Sequence, residues 1–264
     1  MSELFSLPTR MRAAFGRYGR DLAYLSASFA GHGPGPVVPR ERRARDAIGR
    51  AFRVERVARE TDDAVTLELV PVDGGEVELR AGQFFTVHAR VLGRDVKRNY
   101  SASSSPRDRR KVDLTIKRVA GGEMSTYLTG HVAPGDTLRL EGPFGAFVAP
   151  PGERRLVLVG GGSGVTPLLS IARDALAGSA ERVHLVYANR RPSAVVLSAA
   201  IAELERDYPG RFTVVHVLEE DAGAARAGRF DAHPLAELLA PIEGWQGARF
   251  FVCGPEGLRR SAEA

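Results

Sequence analysis

The stretch Gly160-Gly161-Gly162-Ser163-Gly164-Val165-Thr166-Pro167 joins an apolar run, Leu156 to Val159, to a helical pattern that continues to about residue 177. An unbroken apolar run of this kind is typical of a strand buried on both faces of a parallel sheet. We expect Gly160 to end the strand, Thr166 to cap the helix and Pro167 to follow as its first residue. Glycines let a ligand approach the backbone, and a helix N-terminus stabilises a diphosphate. The stretch therefore predicts a nucleotide-binding turn, with a turn that binds nothing as the alternative.

The sequence after this stretch continues the same alternation of strand and helix. Further apolar runs cover Val183 to Tyr187, Phe212 to Leu218 and Phe250 to Val252. Helical patterns lie at about 166–177, 194–207 and 232–240. Strands that alternate with helices predict a parallel α/β domain, which we place at residues 151–264.

Before residue 150 the apolar period is two, which predicts antiparallel strands in a barrel at residues 47–150. The alternating positions are Phe52, Val54 and Val57, then Val65, Leu67 and Leu69, then Phe85 and Val87, then Val112, Leu114 and Ile116. Glycine and proline turns separate these runs, and one short helix is expected at Glu123 to Thr129. The chain is therefore predicted to have two domains of different architecture.

One barrel strand carries Arg98-Asn99-Tyr100-Ser101. Alternation places Arg98 and Tyr100 on the same face, where a guanidinium can hold a phosphate and a phenol ring can cover a flavin ring. Ser101 is then placed to hydrogen-bond a ring nitrogen. A surface arginine beside a cross-strand tyrosine is the alternative. Further along, Gly121-Gly122-Glu123-Met124-Ser125 opens the short helix and offers a second set of N–H groups for a diphosphate.

The N-terminal 46 residues predict an amphipathic helix and a linker. Apolar residues recur at helical spacing at Met11, Phe15, Tyr18, Leu22, Leu25 and Phe29. Such a basic helix can lie on an anionic membrane surface or a partner, or pack on its own protein, which we favour. Residues 1–50 hold nine arginines and four acidic residues, a difference that equals the net charge of +5 for all 264 residues. Charge confined to one end disfavours a nucleic-acid binder.

Cysteine and histidine content excludes several classes of site. The single cysteine, Cys253, excludes an internal disulfide and a four-cysteine iron–sulfur or zinc site in this chain. The six histidines form no metal-ligand spacing, so no metal is predicted. No apolar run is long enough to span a membrane and no secretory signal is present, so we expect a cytoplasmic protein, with the N-terminal helix as a possible membrane contact.

Taken in order, the motifs resemble the ferredoxin-NADP reductase superfamily over about residues 50–258. Five blocks carry the resemblance: Arg98 to Ser101, Gly121 to Ser125, Gly142-Pro143-Phe144-Gly145 as the loop leaving the barrel, Gly160 to Pro167, and Cys253-Gly254-Pro255. The resemblance implies a six-stranded antiparallel flavin barrel that binds FAD, an NAD(P)H domain, and hydride transfer from nicotinamide to flavin. Reductases of bacterial oxygenases, hydroxylases and desaturases are the most similar branch. The residues alone leave FAD and FMN open.

The resemblance also implies roles for individual residues. Ser101 and Cys253 would lie at the transfer site, although a buried inert thiol is the alternative for Cys253. Flavin contacts would come from Arg98, Asn99, Tyr100, Ser101, Lys117, Gly121, Gly122, Met124 and Ser125. Nicotinamide-nucleotide contacts would come from Gly161, Gly162, Gly164, Thr166, Gly254 and Pro255.

Nucleotide preference depends on Arg190 and Arg191, which follow the second parallel strand without an acidic residue beside them. An arginine there suits a 2′-phosphate, whereas an acid suits a 2′-hydroxyl. The pair favours NADPH over NADH, and Ser193 could add a hydrogen bond.

Members of the family that this chain resembles usually continue past the Cys-Gly-Pro segment through another helix and strand, and many carry a [2Fe-2S] domain. This sequence ends at Ala264. The nucleotide domain is therefore expected to be C-terminally truncated: either the chain is a fragment, or its electrons pass to a separate iron–sulfur protein, oxygenase or desaturase. A flavin- and nucleotide-binding regulatory subunit without turnover is the alternative.

Overall fold

The computed structural model describes residues 49–220, 228–230, 235–240, 242–243 and 245–263. The helix predicted within residues 1–46 lies outside the described residues. Two sheets organise the rest, one antiparallel and one parallel.

The first sheet has six antiparallel strands and confirms the predicted barrel architecture. The strands are β1 (Arg50–Thr61), β2 (Ala64–Pro71), β3 (Phe84–Val91), β4 (Arg94–Ser101), β5 (Val112–Lys117) and β6 (Thr137–Phe144). Their order in the sheet is β4-β3-β6-β1-β2-β5. Beyond β4 the chain reaches β5, where Ala102 bridges Leu114 and the Ser103 N–H donates to the Asp113 carbonyl. This contact brings the two edge strands together.

Alternation of side chains explains the core of this sheet. In β5, Val112, Leu114 and Ile116 point inward, where they meet Leu67 and Leu69 of β2 in one buried cluster. The helix α1 (Glu123–Gly130) crosses between β5 and β6 and adds buried Met124 and Leu128 to the same cluster. The period-two pattern thus supplies the apolar face that closes the sheet on itself.

The second sheet is parallel, with the order β10-β7-β8-β9, as the unbroken apolar runs predicted. Its elements are β7 (Arg155–Gly161), α2 (Val165–Ala177), β8 (Arg182–Asn189), α3 (Ser198–Asp207), β9 (Phe212–Leu218), α4 (Leu235–Leu239), β10 (Arg249–Cys253) and α5 (Glu256–Glu263). Short 3₁₀ turns at Gly162–Gly164 and Pro192–Ala194 precede α2 and α3.

The predicted start of the first helix in this domain is wrong. A 3₁₀ turn comes first, and α2 begins at Val165 with Gly164 at its N-cap and without a side-chain cap. Thr166 lies inside the helix, where its hydroxyl donates to the Ser163 carbonyl at 3.0 Å. Three successive glycines permit the extra turn because Gly162 adopts a φ of +52°.

Two other predicted boundaries also differ. The Gly142-Pro143-Phe144 part of the predicted exit loop belongs to β6, whose alternating Leu138 and Leu140 extend the pairing with β3 to Phe144. The helix predicted from residue 194 begins only at Ser198. Leu197 has a φ of +60°, a conformation that a right-handed helix cannot include.

The two domains meet along α2. The Ser170 hydroxyl donates to the Ser104 carbonyl at 2.7 Å, and Arg173 Nη1 donates to the Ser103 carbonyl at 2.6 Å. Phe84 and Phe147 of the first domain join the buried cluster of the parallel sheet. Polar and apolar contacts therefore hold the parallel-sheet domain directly against the segment that follows β4.

Candidate functional site

The parallel sheet forms a crevice at the carboxyl ends of β7 and β10. The chain runs from β7 through β8 to β9 on one side and then returns to place β10 on the other. Ligands of open α/β sheets bind at such a switch point. The glycine-rich turn follows β7, and Cys253-Gly254-Pro255 follows β10, so topology brings these two predicted segments together.

Glycine is required where these segments touch. A Cβ built on Gly164 would lie 2.2 Å from the Cys253 carbonyl oxygen, and one on Gly254 would lie 3.0 Å from the Gly161 nitrogen. A Cβ on Gly161 would lie 3.0 Å from Pro255 Cδ. The glycines therefore allow two backbone segments to pack at a distance that a side chain would prevent.

Tyr187 supports the glycine turn from inside the domain, a role that the sequence analysis missed. Its hydroxyl lies 2.9 Å from the Gly162 carbonyl oxygen and 3.2 Å from that of Val196. Burial raises the pKa of this phenol, so it stays a neutral donor. A tyrosine at the end of the apolar run Val183 to Tyr187 is the signal that could have marked it.

In the antiparallel sheet, β4 presents the predicted flavin motif as alternation requires. Arg98 is exposed and Tyr100 half-buried, and these two share one face. Burial raises the pKa of Tyr100 and nearby Arg98 opposes the shift. Ser101 is only 3% exposed, and its Oγ has no hydrogen-bond partner among the described residues. A buried hydroxyl without a partner is unfavourable until a ligand atom pairs with it.

Asn99 and Lys117, also predicted to contact flavin, have protein partners. Asn99 Oδ1 accepts from the Thr86 hydroxyl across the β3–β4 pair at 2.8 Å. Lys117 Nζ lies 3.7 Å from Asp63 Oδ2. Both contacts hold strand ends in register, so any ligand contact would be additional to them.

The N-terminus of α1 forms the second anion-binding feature. Gly121 has a φ of +71°, and the N-cap Gly122 makes no side-chain cap. The Ser125 hydroxyl accepts from the Val119 N–H at 3.0 Å and lies 3.2 Å from the Gly122 carbonyl oxygen, so it stabilises the turn itself. Buried Met124 anchors the helix. The first-turn amides remain for an anion because no intrahelical acceptor exists for them.

Arg94 is a further residue of the candidate flavin site that the sequence did not reveal. It lies on β4 at the same alternation as Arg98, and it pairs with Glu123 in the first turn of α1. Counting four residues back from Arg98 along the strand would have identified it. The face of β4 that carries Tyr100 therefore presents one guanidinium from Arg98 and a second from Arg94, whose charge is offset by Glu123.

These features fit a flavin nucleotide. A partnerless buried hydroxyl, an aromatic ring and a cation lie at successive or alternate positions of one strand, and a glycine-led helix N-terminus supplies amides. Such a donor set suits a planar heterocycle joined to a diphosphate.

Arg190 and Arg191 follow β8, where both side chains are exposed. Glu220, directly beyond β9, lies 3.1 Å from Arg190 Nε and 3.9 Å from Arg191 Nη1. Arg191 Nε also donates to the Ser193 hydroxyl at 3.1 Å. The acid that the local sequence lacks is thus supplied by the neighbouring strand, and it offsets part of the positive charge of the pair.

Cys253 ends β10 and is 2% exposed. Burial raises the pKa of its thiol to about 12. At neutral pH the group is therefore a buried, protonated S–H, without the thiolate that nucleophilic chemistry requires.

Within the described residues, no cluster of three or more His, Cys, Asp or Glu side chains could hold a metal ion. Of the helices in the same part of the chain, none combines the length and apolar character needed to cross a membrane.

Comparison with known families assigns both halves of the described chain. The Oxidoreductase FAD-binding domain model matches residues 52–148, and the Oxidoreductase NAD-binding domain model matches residues 158–264. The flavin and nucleotide motifs derived above fall within the corresponding matches.

Individual relatives agree with these matches. The chain is 36% identical over 219 residues to the ferredoxin reductase component of 3-ketosteroid-9-alpha-monooxygenase from Mycolicibacterium smegmatis, covering 80% of this chain and 60% of that protein. It is 33% identical to an NADPH oxidoreductase of Mycobacterium tuberculosis, covering 83% and 56%. The crystal structure of an Amycolatopsis cytochrome P450 reductase superposes with a TM-score of 0.66 at 28% identity, covering 81% and 67%. The chain thus spans about 60% of the length of the curated relatives named here.

The state of Cys253 predicts its reactivity. With a pKa of about 12, roughly one thiol in ten thousand is ionised at pH 8, so the native protein should resist iodoacetamide. The same protein in denaturant should react rapidly and bind one equivalent, because the chain has one cysteine. Mass spectrometry of both samples measures this, and rapid labelling of the native protein would contradict a buried neutral thiol.

Proposed function

Because the chain belongs to the ferredoxin-NADP reductase superfamily, we propose that it is an FAD-dependent NAD(P)H reductase that accepts hydride and passes electrons singly to a protein partner. One observation carries the proposal. Helix α2, which follows the glycine-rich turn, packs through Ser170 and Arg173 on the carbonyls of Ser104 and Ser103, which directly follow the flavin motif. The two motifs therefore lie at either side of one interdomain contact.

On the flavin side, we assign residues 47–150 to the FAD domain. Arg98 would bind the phosphates, Tyr100 would stack on the ring, and Ser101 would hydrogen-bond the ring edge near N5. The first-turn amides of α1 would hold the diphosphate. FAD, when bound, supplies the conversion between two-electron and one-electron transfer. The residues of this chain hold the ring, orient it and exclude water from one face, and the burial of Ser101 supports this.

On the nucleotide side, we assign residues 151–264 to the NAD(P)H domain. Gly161, Gly162 and Gly164 would give the diphosphate access to backbone N–H groups, and Thr166 would approach the nicotinamide amide. Cys253, Gly254 and Pro255 would line the nicotinamide end of the crevice. The protonated thiol supports a packing role for Cys253, because it presents a small neutral group to a neutral ring.

Among the nucleotides, we propose NADPH, with NADH as the competing substrate. Arg190 and Arg191 suit a 2′-phosphate, and a relative is named NADPH oxidoreductase. Glu220 limits the preference, because it pairs with both guanidinium groups and repels a phosphate.

We propose an iron–sulfur protein, oxygenase or desaturase as the electron acceptor, in a cytoplasmic setting. Relatives are named as the ferredoxin reductase component of a monooxygenase and as the reductase subunit of an aromatic O-demethylase. We also propose that the basic helix predicted within residues 1–46 contacts a membrane surface, with the arginines of residues 1–50 as support.

Anaerobic titration tests the function directly. The purified, flavin-loaded chain should lose its visible flavin absorbance on addition of NADPH, and less readily with NADH. Flavin that is reduced by dithionite but by neither nucleotide would contradict the reductase and favour a binding module without turnover.

Ser101→Ala tests the flavin-side assignment. Loss of one hydrogen bond to the reacting ring should slow flavin reduction by about a hundredfold while flavin content stays unchanged. Ser105→Ala is the control, because its hydroxyl only accepts from the Arg107 N–H in the following turn. Stopped-flow absorbance measures both variants, and equal rates would remove Ser101 from the site.

Glu220→Gln tests nucleotide choice. Removing the carboxylate releases both arginines from their ion pairs, so kcat/KM for NADPH should rise several-fold relative to NADH. The matched control is Glu219→Gln, the adjacent acid, which should leave the ratio unchanged. A ratio that is unaltered in Glu220→Gln would show that the arginine pair does not read the 2′-phosphate.

A further inference from the structure

The Glu60 side chain links the two domains. Glu60 lies near the end of β1, and its Oε2 accepts from the Leu197 N–H, 137 positions along the chain, at 3.0 Å. Its other oxygen, Oε1, accepts from the Thr66 hydroxyl of β2 at 2.6 Å. One carboxylate thus ties the barrel to the residue that precedes α3 in the parallel domain.

A line of hydroxyl groups continues from Glu60 to the flavin motif. Thr66 Oγ1 lies 2.9 Å from Thr115 Oγ1, which lies 2.8 Å from Ser103 Oγ. Because Thr66 gives its proton to the carboxylate, Thr115 is left to donate to Thr66, and the Ser103 hydroxyl lies within donating distance of Thr115 Oγ1 and, at 3.3 Å, of the Asp113 carbonyl oxygen. Hydrogen bonds aligned in one direction reinforce one another. The chain ends at Ser103, two residues beyond Ser101.

In the parallel domain, Glu60 accepts from the N–H of Leu197, a residue with a strained backbone conformation. Leu197 is buried and adopts a left-handed conformation, with φ +60° and ψ +27°, which is unfavourable for a residue with a side chain. It is the N-cap of α3 and has no side-chain cap, so the carboxylate also suits the positive end of the helix. Neighbouring Val196 shares the Tyr187 hydroxyl with Gly162 of the glycine turn. Glu60 is therefore connected, through Leu197, to the predicted diphosphate loop.

The charges around Glu60 favour this arrangement. Half-buried Arg173 of α2 interacts electrostatically with Asp113, and also with Glu203 and Glu60. Its Nη1 donates to the Ser103 carbonyl at 2.6 Å. The guanidinium thus binds the Ser103 segment directly from the parallel domain, whereas the carboxylate reaches the same segment through the Thr66 and Thr115 hydroxyls, and each helps to neutralise the other.

We propose that Glu60 is a positioning residue that sets the distance between the nicotinamide loop and the flavin motif. The inference rests on the proposed reductase function and adds a residue to it. Hydride transfer requires reacting atoms about 3–3.5 Å apart, and a displacement of about 1 Å can slow such a step a hundredfold. Without Glu60, Leu197 loses the acceptor that holds it on the barrel, and the two halves of the site can separate.

The experiment compares flavin-loaded full-length variants by anaerobic stopped-flow with NADPH. Glu60→Ala should slow flavin reduction at saturating nucleotide by tenfold to a hundredfold, while flavin content and dithionite reduction stay normal. Glu60→Gln should recover to within about threefold of wild type, because a carboxamide can still accept from Leu197 N–H and donate to Thr66. Glu55→Ala on the same strand is the control, since its ion pair with Arg53 stays within the barrel.

The outcomes separate this inference from the function on which it rests. Wild-type flavin that NADPH and NADH both fail to reduce would overturn the reductase proposal and this one with it. Normal reduction by wild type with an unchanged saturating rate in Glu60→Ala, or a change in KM alone, would overturn only the positioning role. If Glu60→Ala does not fold, Thr66→Val removes only the hydroxyl on Oε1; a saturating rate slowed threefold or more would support the role, and a wild-type rate would overturn it.

Discussion

The arrangement of the two domains depends on the hydrogen bonds that α2 donates to the carbonyl groups of Ser103 and Ser104. These carbonyl groups lie where the chain leaves β4 to meet β5, and α2 satisfies both, through Arg173 and Ser170. A buried carbonyl without a partner costs about 1–3 kcal/mol, so separating the domains would leave this segment unfavourable. The need to pair these two carbonyl groups therefore holds α2 beside the flavin motif.

Burial, more than charge, sets the chemistry of the candidate site. Ser101 and Cys253 are buried and Tyr100 is half-buried, and each stays neutral at physiological pH. A site of this kind binds and orients a redox cofactor, because it offers hydrogen bonds and a dry surface but no nucleophile. The cationic groups, Arg94 and Arg98, lie on the exposed part of β4, where phosphates can remain partly hydrated.

Acidic residues modulate this site from neighbouring elements. Glu220 offsets the arginine pair after β8, and its exposed ion pairs are weak enough for a ligand phosphate to compete with them. Glu60 differs from Glu220, because its hydrogen bonds to Thr66 and Leu197 join the two domains and restrict their relative movement. The proposals for nucleotide choice and for domain alignment thus depend on different carboxylates.

The sequence determined the two sheets, their parallel or antiparallel character and the position of both motifs, because apolar periodicity and glycine content are local properties. It placed the start of α2 at Thr166, but the structure inserts a 3₁₀ turn that only the glycine backbone permits. It found no acid beside Arg190 and Arg191, although Glu220 approaches from β9, and it gave no sign of Glu60 reaching Leu197. These contacts join residues 29 to 137 positions apart, so only the tertiary structure, by bringing distant strands and loops together, could decide them.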